Sequence, residues 1–194
     1  TAFERKSVAE LRLNIGLDSY SYPVDGVSKR LYTDFHYLAP AIIIERSSLN
    51  KDLFPTKGLH FVASAIYVYG RDRNKNIEVV SAAKSDMIRK WWGTKFQLEH
   101  YIQIIPRETF TLGYDFECVF TTHPQFDTHE ATLLSSPLYA PLLHSRMIYM
   151  PEFRARRYVG LGLMPTVRIY KNLYARLSVH AMARDRFEGK VMHY

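Results

Sequence analysis

The stretch FQLEHYIQIIPRETFTLGYDFECVF, residues 96–120, decides the fold of this chain. Apolar residues occupy alternate positions on both sides of residues 106–108, and Glu99, Asp115 and Glu117 stand at positions between them. A period of two is the pattern of a β-strand whose two faces meet different surroundings. The stretch therefore predicts two long antiparallel strands joined by a short turn.

The same period recurs along the chain, over residues 8–18, 31–37, 59–69, 159–164 and 173–182. Several of these runs are longer than the usual strand of about 5–6 residues. We predict one all-β, antiparallel domain over residues 1–194. Three shorter features are expected beside the long strands: separate short strands over residues 42–46 and 77–81, and a helical turn over residues 84–92.

The composition excludes several classes of protein. The chain has 194 residues, a net charge of +7 and 47% hydrophobic residues, a balance typical of a folded protein. No apolar stretch approaches the roughly 18 residues that a membrane-spanning helix needs, whereas a strand of a transmembrane barrel needs only about 9–11. The single Cys118 excludes an internal disulfide framework. The 14 Tyr and 11 Phe are typical of a strand-rich core or of a membrane barrel with aromatic girdles.

Charges on the second face favour a transmembrane barrel. An apolar core would not accept unpaired charges at mid-strand, but a wet lumen would; these residues are Arg12, Asp34, Glu99, Asp115, Glu117, Arg168 and Arg176. The lipid-facing residues would then be Leu11, Leu13, Ile15, Phe61, Leu98, Phe110, Leu112, Phe116, Val159, Leu161, Leu177 and Val179.

A soluble antiparallel barrel or sandwich that binds an apolar ligand remains the alternative. Small eight-stranded barrels hold such ligands in their interior. The same apolar residues, Leu11 and Phe110 among them, would then point inward, with Arg12 and Asp115 outward. Alternation alone does not decide which solvent meets the apolar side.

Several short motifs resemble a known family. Residues 10–37 resemble the strand–turn–strand unit of bacterial surface-antigen (BamA-like, outer-membrane assembly-factor) barrels, with residues 22–26 as the turn. Residues 54–58 (FPTKG) resemble the Pro-x-x-Gly-type turn at the periplasmic rim of that family. Motifs at residues 98–101, 110–113, 131–134, 144–145, 150–155 and 171–174 resemble the C-terminal barrel of Bacteroidetes-type patatin-like phospholipase fusion proteins.

The resemblance implies a location, a size and partners. It implies a bacterial outer-membrane barrel of about 16 strands, of which this chain would form part. The partners would be outer-membrane lipids and a patatin-like lipid hydrolase domain of the same parent chain, lying outside this segment. The barrel would anchor that domain and translocate or display it.

No catalytic motif is found in the sequence. A patatin-like hydrolase needs a Gly-x-Ser-x-Gly elbow, which is absent here, and Asp25-Gly26 is better interpreted as a turn. A pairing of Ser135 or Ser136 with His144 has no spacing that would orient a base. We predict no catalytic residue and no cofactor in this segment, which leaves open whether the parent protein is an enzyme.

Two further polar patterns are interpreted without a ligand site. His123, Asp127, His129 and Glu130 carry metal-binding groups, but nothing in the sequence fixes their geometry, so no metal is predicted. Basic clusters at residues 71–75, 89–90 and 154–157 are attributed to the lumen or to anionic lipid headgroups rather than to nucleic acid. Trp91-Trp92 is predicted to be a membrane-interface anchor or a loop-packing pair.

Residues 122–152 are predicted to form a long loop that folds over or into the barrel. Pro124, Pro137, Pro141 and Pro151 prevent a regular strand, because proline has no N–H to donate to a ladder. The loop is nevertheless too apolar to be left in water. We expect it to pack against Tyr158, Tyr174 or Met182 and to constrict any pore.

Overall fold

The computed structural model describes residues 6–24, 27–51, 54–75, 86–105, 109–126, 129–141, 150–171 and 173–185. The elements are β1 (Lys6–Val24), β2 (Val27–Ser47), β3 (Gly58–Lys75), β4 (Asp86–Ile105), β5 (Phe110–Thr121), α1 (His129–Ser135), a 3₁₀ turn (Pro151–Phe153), β6 (Arg157–Tyr170), β7 (Leu173–Arg176) and β8 (Val179–Arg184). The all-β class predicted from the sequence is confirmed. No helix among the described residues is long and apolar enough to cross a membrane.

All eight strands belong to one antiparallel sheet. The order follows the chain from β1 to β7, and β8 also pairs with β6. Arg176 of β7 lies opposite Thr166, and Val179 of β8 lies opposite Leu163, so the two short strands cover successive parts of one edge. The sheet is open, since no pairing joins β1 to β7 or β8 among the described residues.

Two predicted local features are different in the structure, and a third is not tested by it. The run 42–46 is not a separate strand, because β2 continues through Pro40 and loses only the pairings of residues 39 and 40 with β3. The helical turn predicted over residues 84–92 is wrong from Asp86 onward, because β4 begins there and pairs with β3. The strand predicted over 77–81 lies outside the described residues.

The register gives the sheet two different faces. Eleven of the twelve residues predicted to face lipid lie on one of them, here called the apolar face, and the twelfth, Leu177, is exposed between β7 and β8. Leu11 is 83% exposed and Ile15 is 77% exposed. The opposite face, called the covered face, carries Thr111, Asp115 and Tyr158, which are buried.

Asp34 is a correction to the predicted faces. It was placed with the lumen charges, but it accepts a hydrogen bond at 2.7 Å from the hydroxyl of Ser19, which shares the apolar face with Leu17. The buried neighbours of Asp34 on β2, Thr33 and Phe35, occupy the covered face instead. The faces of β2 are assigned to the wrong sides because Phe35 and Tyr37 lie on the covered face.

The sheet curls around its covered face. The connection between β2 and β3 reaches β7: Lys51 Nζ donates to Tyr174 Oη at 3.1 Å, and Phe54 stacks on the Tyr174 ring with centroids 5.8 Å apart. In a flat sheet β3 and β7 would stand roughly 19 Å apart, since neighbouring strands are about 4.8 Å apart. Contact across that span requires strong curvature at this rim.

The two turns that resemble the surface-antigen unit lie at opposite ends of the sheet. The connection from Val24 to Val27 joins β1 to β2, and residues 48–57 join β2 to β3 after a complete strand. Successive antiparallel connections alternate between the two rims. At most one of these turns can therefore mark the same rim as the family's Pro-x-x-Gly turn.

The described residues between 122 and 156, here called the strap, cross the covered face. Phe126 and Ala131 of the strap pack in a cluster with Phe35, Ala39 and Val68 of the sheet. A second cluster joins strap residues Tyr139 and Ala155 to Val119 and Tyr158, with Met182 packed against it. Tyr174 contacts the β2–β3 connection instead. Both of these clusters thus lie between strap and sheet.

Candidate functional site

A buried ion pair fastens the start of the strap to the sheet. Arg89 of β4 donates to the Asp72 carboxylate of β3 at 3.0 Å, and both side chains are buried. The same guanidinium donates to the Gln125 carbonyl at 3.0 Å and lies over the Phe126 ring, 5.3 Å from its centroid. Arg89 therefore connects two strands and the strap through one planar group.

His123 is enclosed by aromatic rings rather than by ligands. It is 2% exposed and packs against Trp91 with ring centroids 4.6 Å apart, and against Phe126. Neither of its ring nitrogens makes a hydrogen bond within the described part of the chain. Burial lowers the pKa of His123 to about 4, and the nearby Arg156 and Arg89 also lower it. The imidazole is therefore neutral at pH 7.

Acidification should weaken the docking of the strap. A histidine with a folded pKa of about 4 and an ordinary value of 6.5 takes up its proton preferentially in the unfolded state. Stability should then be constant above pH 6.5 and fall by up to about 3 kcal/mol as the pH drops toward 4. Urea unfolding followed by tryptophan fluorescence at several pH values measures this.

The matched comparison uses two histidine variants. His123→Phe keeps an aromatic side chain and should remove most of the pH dependence between 4 and 6.5. His36→Gln changes an exposed histidine and should leave it intact. An unchanged slope in His123→Phe would contradict this assignment.

Charged side chains form a buried network on the covered face. Glu117 pairs with Lys95 at 2.9 Å and accepts a hydrogen bond from the Tyr158 hydroxyl, which also lies 3.2 Å from the Leu138 carbonyl of the strap. In the neighbouring row of the covered face, Asp115 and His180 stand 3.3 Å apart. Gly162 lies between them in the register, and any Cβ there would overlap the Asp115 carboxylate.

Several polar groups beside this network are buried without a hydrogen-bond partner in the part of the chain that the structure describes. Thr111 Oγ1, Tyr139 Oη and Arg176 Nη2 are buried without a hydrogen bond among the described residues. Burial raises the pKa of Tyr139, and the nearby Asp115 and Glu117 raise it further, so the group stays a neutral hydroxyl. Unpaired polar groups cost free energy in an apolar interior. The arrangement suits a hydrated cavity.

Those residues considered for catalysis or metal binding that the structure describes do not form a site. Ser135 and Ser136 donate their hydroxyl hydrogens to the carbonyls of Ala131 and Thr132, at 2.5 Å each. His144 and Asp127 lie outside the described residues, and so do the side chains of His129 and Glu130. Within the described part of the chain no group of three His, Cys, Asp or Glu residues could hold a metal ion.

The tryptophan pair divides between the two faces. Trp91 packs on the covered face against Phe35, whereas Trp92 is 46% exposed on the apolar face beside Phe120. Neighbouring positions of a strand point to opposite faces, so the two side chains cannot act as one anchor. Of the two, Trp92 is the one exposed on the apolar face.

The basic clusters also separate. Arg71 pairs with Asp86, Arg89 is buried, and Arg154 donates to the carbonyls of Leu134 and Ser136 in the strap. Arg157 is exposed and lies over the Phe120 ring, 4.4 Å from its centroid. These cations serve different local structures and do not form one continuous basic surface.

The chain matches no protein-family model, no curated protein and no solved structure. The resemblance to surface-antigen barrels and patatin-like fusion proteins therefore stays a prediction.

Sequence reasoning did not find two features of the apolar face. Lys90 Nζ lies over the Tyr69 ring at 5.3 Å, in the same way as Arg157 lies over Phe120. A groove of about 770 Å³ crosses this face between β2 and β8. Both depend on the register between strands, and no sequence signal gives that register.

Proposed function

We propose that this chain is part of a transmembrane antiparallel β-barrel in a bacterial outer membrane. It anchors, and translocates or displays, a patatin-like lipid hydrolase domain of the same parent protein. The observation that carries the proposal is the slanted apolar band that all strands share. Its charged and aromatic boundary and the polar covered face add support.

The apolar band crosses the hydrogen-bonded rows obliquely. The row through Ile15 continues to Leu38 and Tyr69 and then reaches the charged Lys90. The row through Leu161 runs in the other direction through Phe116, Leu98 and Phe61 and reaches the charged Arg46. Strands of a membrane barrel tilt by about 35–45°, so a band parallel to the membrane must shift along successive strands in this way.

Aromatic and basic side chains follow one boundary of the apolar band. Tyr69, Trp92 and Phe120 lie one row apart on successive strands and are partly exposed. Lys90 and Arg157 stand beside the first and last of them. Aromatic rings with snorkelling cations are typical of a membrane–water interface.

The covered face suits the interior of such a barrel. It carries Lys95, Asp115, Glu117 and His180, together with polar groups that need water as a partner. The strap fills the space over this face through Phe126 and Tyr139. A polar interior that is partly plugged is a known arrangement among outer-membrane barrels.

Spin labels on neighbouring residues test the orientation. In a Cys118→Ala background, labels at Leu98 and Leu112 on the apolar face should collide readily with oxygen and poorly with a water-soluble nickel complex. A label at Gln97 on the covered face should show the reverse preference, because successive residues point to opposite sides. The protein is reconstituted in lipid vesicles for power-saturation measurements.

Equal oxygen accessibility at residues 97 and 98 would contradict the barrel. So would a monodisperse monomer in buffer without detergent, because exposed apolar side chains along every strand make such a species unfavourable.

The groove on the apolar face favours a second candidate function. Its volume of about 770 Å³ and its lining by Ile42, Phe96 and Val159 would suit an apolar ligand of a soluble protein. In that case a charged substitution at Leu112 would collapse a core rather than disturb a lipid contact. Loss of folding in detergent-free buffer in Leu112→Glu, with no change in membrane association, would favour this candidate.

A further inference from the structure

The groove has one charged end and one apolar end. Arg157 lines it at β6, whereas Ile42 and Ile44 line it at β2. Between them the floor is made of small side chains, with Ala63 and Ala65 on β3. The groove is therefore a channel for an extended apolar group that ends beside the Arg157 guanidinium, whereas the Arg184 guanidinium donates to the Pro151 and Arg154 carbonyls.

The groove also descends into the proposed membrane. Arg157 lies level with Phe120, at the aromatic boundary. The same hydrogen-bonded row continues through Thr94 and Ala65 to Ile42, which lies inside the apolar band because the band is slanted. An acyl chain in the groove would start at the interface and end in the hydrocarbon region.

The cation at the interface end is available for a ligand. Arg157 contacts the Phe120 ring, and its guanidinium has no carboxylate partner within the described part of the chain. The neighbouring Asp185 carboxylate instead accepts the backbone N–H of Arg157 at 3.1 Å and stands 3.9 Å from Arg156 Nε. A guanidinium in this setting matches the geometry of a phosphate group.

We propose that this groove binds a phosphate-bearing, anionic lipid, with the phosphate at Arg157 and one acyl chain along Ala65 toward Ile42. The inference rests on the proposed function, because it requires the apolar face to lie in lipid. It goes further by assigning one lipid class to one place on that face.

Trp92 reports on the groove, because its ring packs against Phe120 at 5.2 Å and lies on the apolar face. The protein contains 2 Trp, so Trp91→Phe leaves Trp92 as the single fluorophore. In vesicles that mix brominated and unbrominated lipids, quenching of Trp92 gives the association of phosphatidylglycerol relative to phosphatidylcholine. We expect a preference of about fivefold for phosphatidylglycerol, the effect of one interfacial cation.

Three comparisons test the assignment. Arg157→Gln should abolish the preference, and Ala65→Phe should reduce it by filling the groove. Lys90→Gln removes a cation from the same boundary outside the groove and should leave the preference unchanged. In the parental protein the preference should fall as salt is raised, which is measurable even if a variant folds poorly.

The possible failures are distinguishable. If neither brominated lipid quenches Trp92, the apolar face is not in lipid and the proposed function fails. If both lipids quench equally, or if Arg157→Gln and added salt leave the preference intact, the barrel survives and the lipid site is overturned.

Discussion

Replacing Arg89 by Met should lower the free energy of unfolding by about 3–5 kcal/mol, because it leaves the Asp72 carboxylate buried without its cation. The Asp72 side chain is 1% exposed and the Arg89 side chain 9% exposed. The substitution also removes the donor to the Gln125 carbonyl and the cation over Phe126. Urea unfolding in detergent micelles, followed by tryptophan fluorescence, measures the loss.

The neighbouring pair provides the matched control. Arg71 and Asp86 join the same two strands on the other face, but their side chains are 54% and 36% exposed. Exposed pairs contribute about 0–1 kcal/mol, so Arg71→Met should have a small effect. Similar losses for Arg71→Met and Arg89→Met would show that the buried pair does not fasten the strap. A double variant, Asp72→Leu with Arg89→Met, should recover part of the loss, because both charges are then gone.

The faces of the strands were largely predictable from the sequence. The alternation of Leu11, Leu13 and Ile15 with polar residues requires no knowledge of the partner strand, since a period of two is local. Asp34 was misplaced because β2 carries apolar residues on both faces: Phe35 and Tyr37 on one, Leu38 and Ile42 on the other. Where both faces of a strand are apolar, a period of two no longer shows which face is the covered one.

The start of β4 was missed for a different reason. Residues 84–92 include Lys, Met, Ile and Arg, which are acceptable in a helix. Local propensity therefore does not argue against a helix in this segment. Pairing of Met87 with Asp72 and of Lys90 with Tyr69 makes the segment a strand. A ladder with residues far away in the sequence overrides a weak local preference.

The interior network lay beyond sequence reasoning because it depends on register. Asp115 meets His180 only because both lie opposite Gly162 of β6, which has no side chain to separate them. Arg89 was interpreted as part of a basic cluster with Lys90, yet the two side chains occupy opposite faces. A composition-based cluster carries no information about faces.

Deleting residues 135–145 should raise the conductance of the protein reconstituted in a planar bilayer, because the described residues of this stretch, 135–141, cover the charged interior of the proposed barrel. Tyr139 of this stretch is 1% exposed and packs on Tyr158, and the Leu138 carbonyl lies 3.2 Å from the Tyr158 hydroxyl. Its removal would uncover the side of the sheet that carries Glu117 and Asp115, whose charges raise the pKa of Tyr139. An opening lined by these carboxylates should favour cations.

Point substitutions in the same strap test whether the conductance depends on the strap filling the interior or responds to any change in the strap. The Leu134 side chain is 42% exposed, so Leu134→Ser should leave the strap docked and the conductance unchanged. Arg154→Gln removes the donor to the carbonyls of Leu134 and Ser136 and should give frequent, brief openings rather than a permanent increase. A large conductance already present in the parental protein, and unchanged by the deletion, would mean that the strap does not obstruct the interior. In that case its contacts with Phe35 and Tyr158 would serve only to stabilise the sheet.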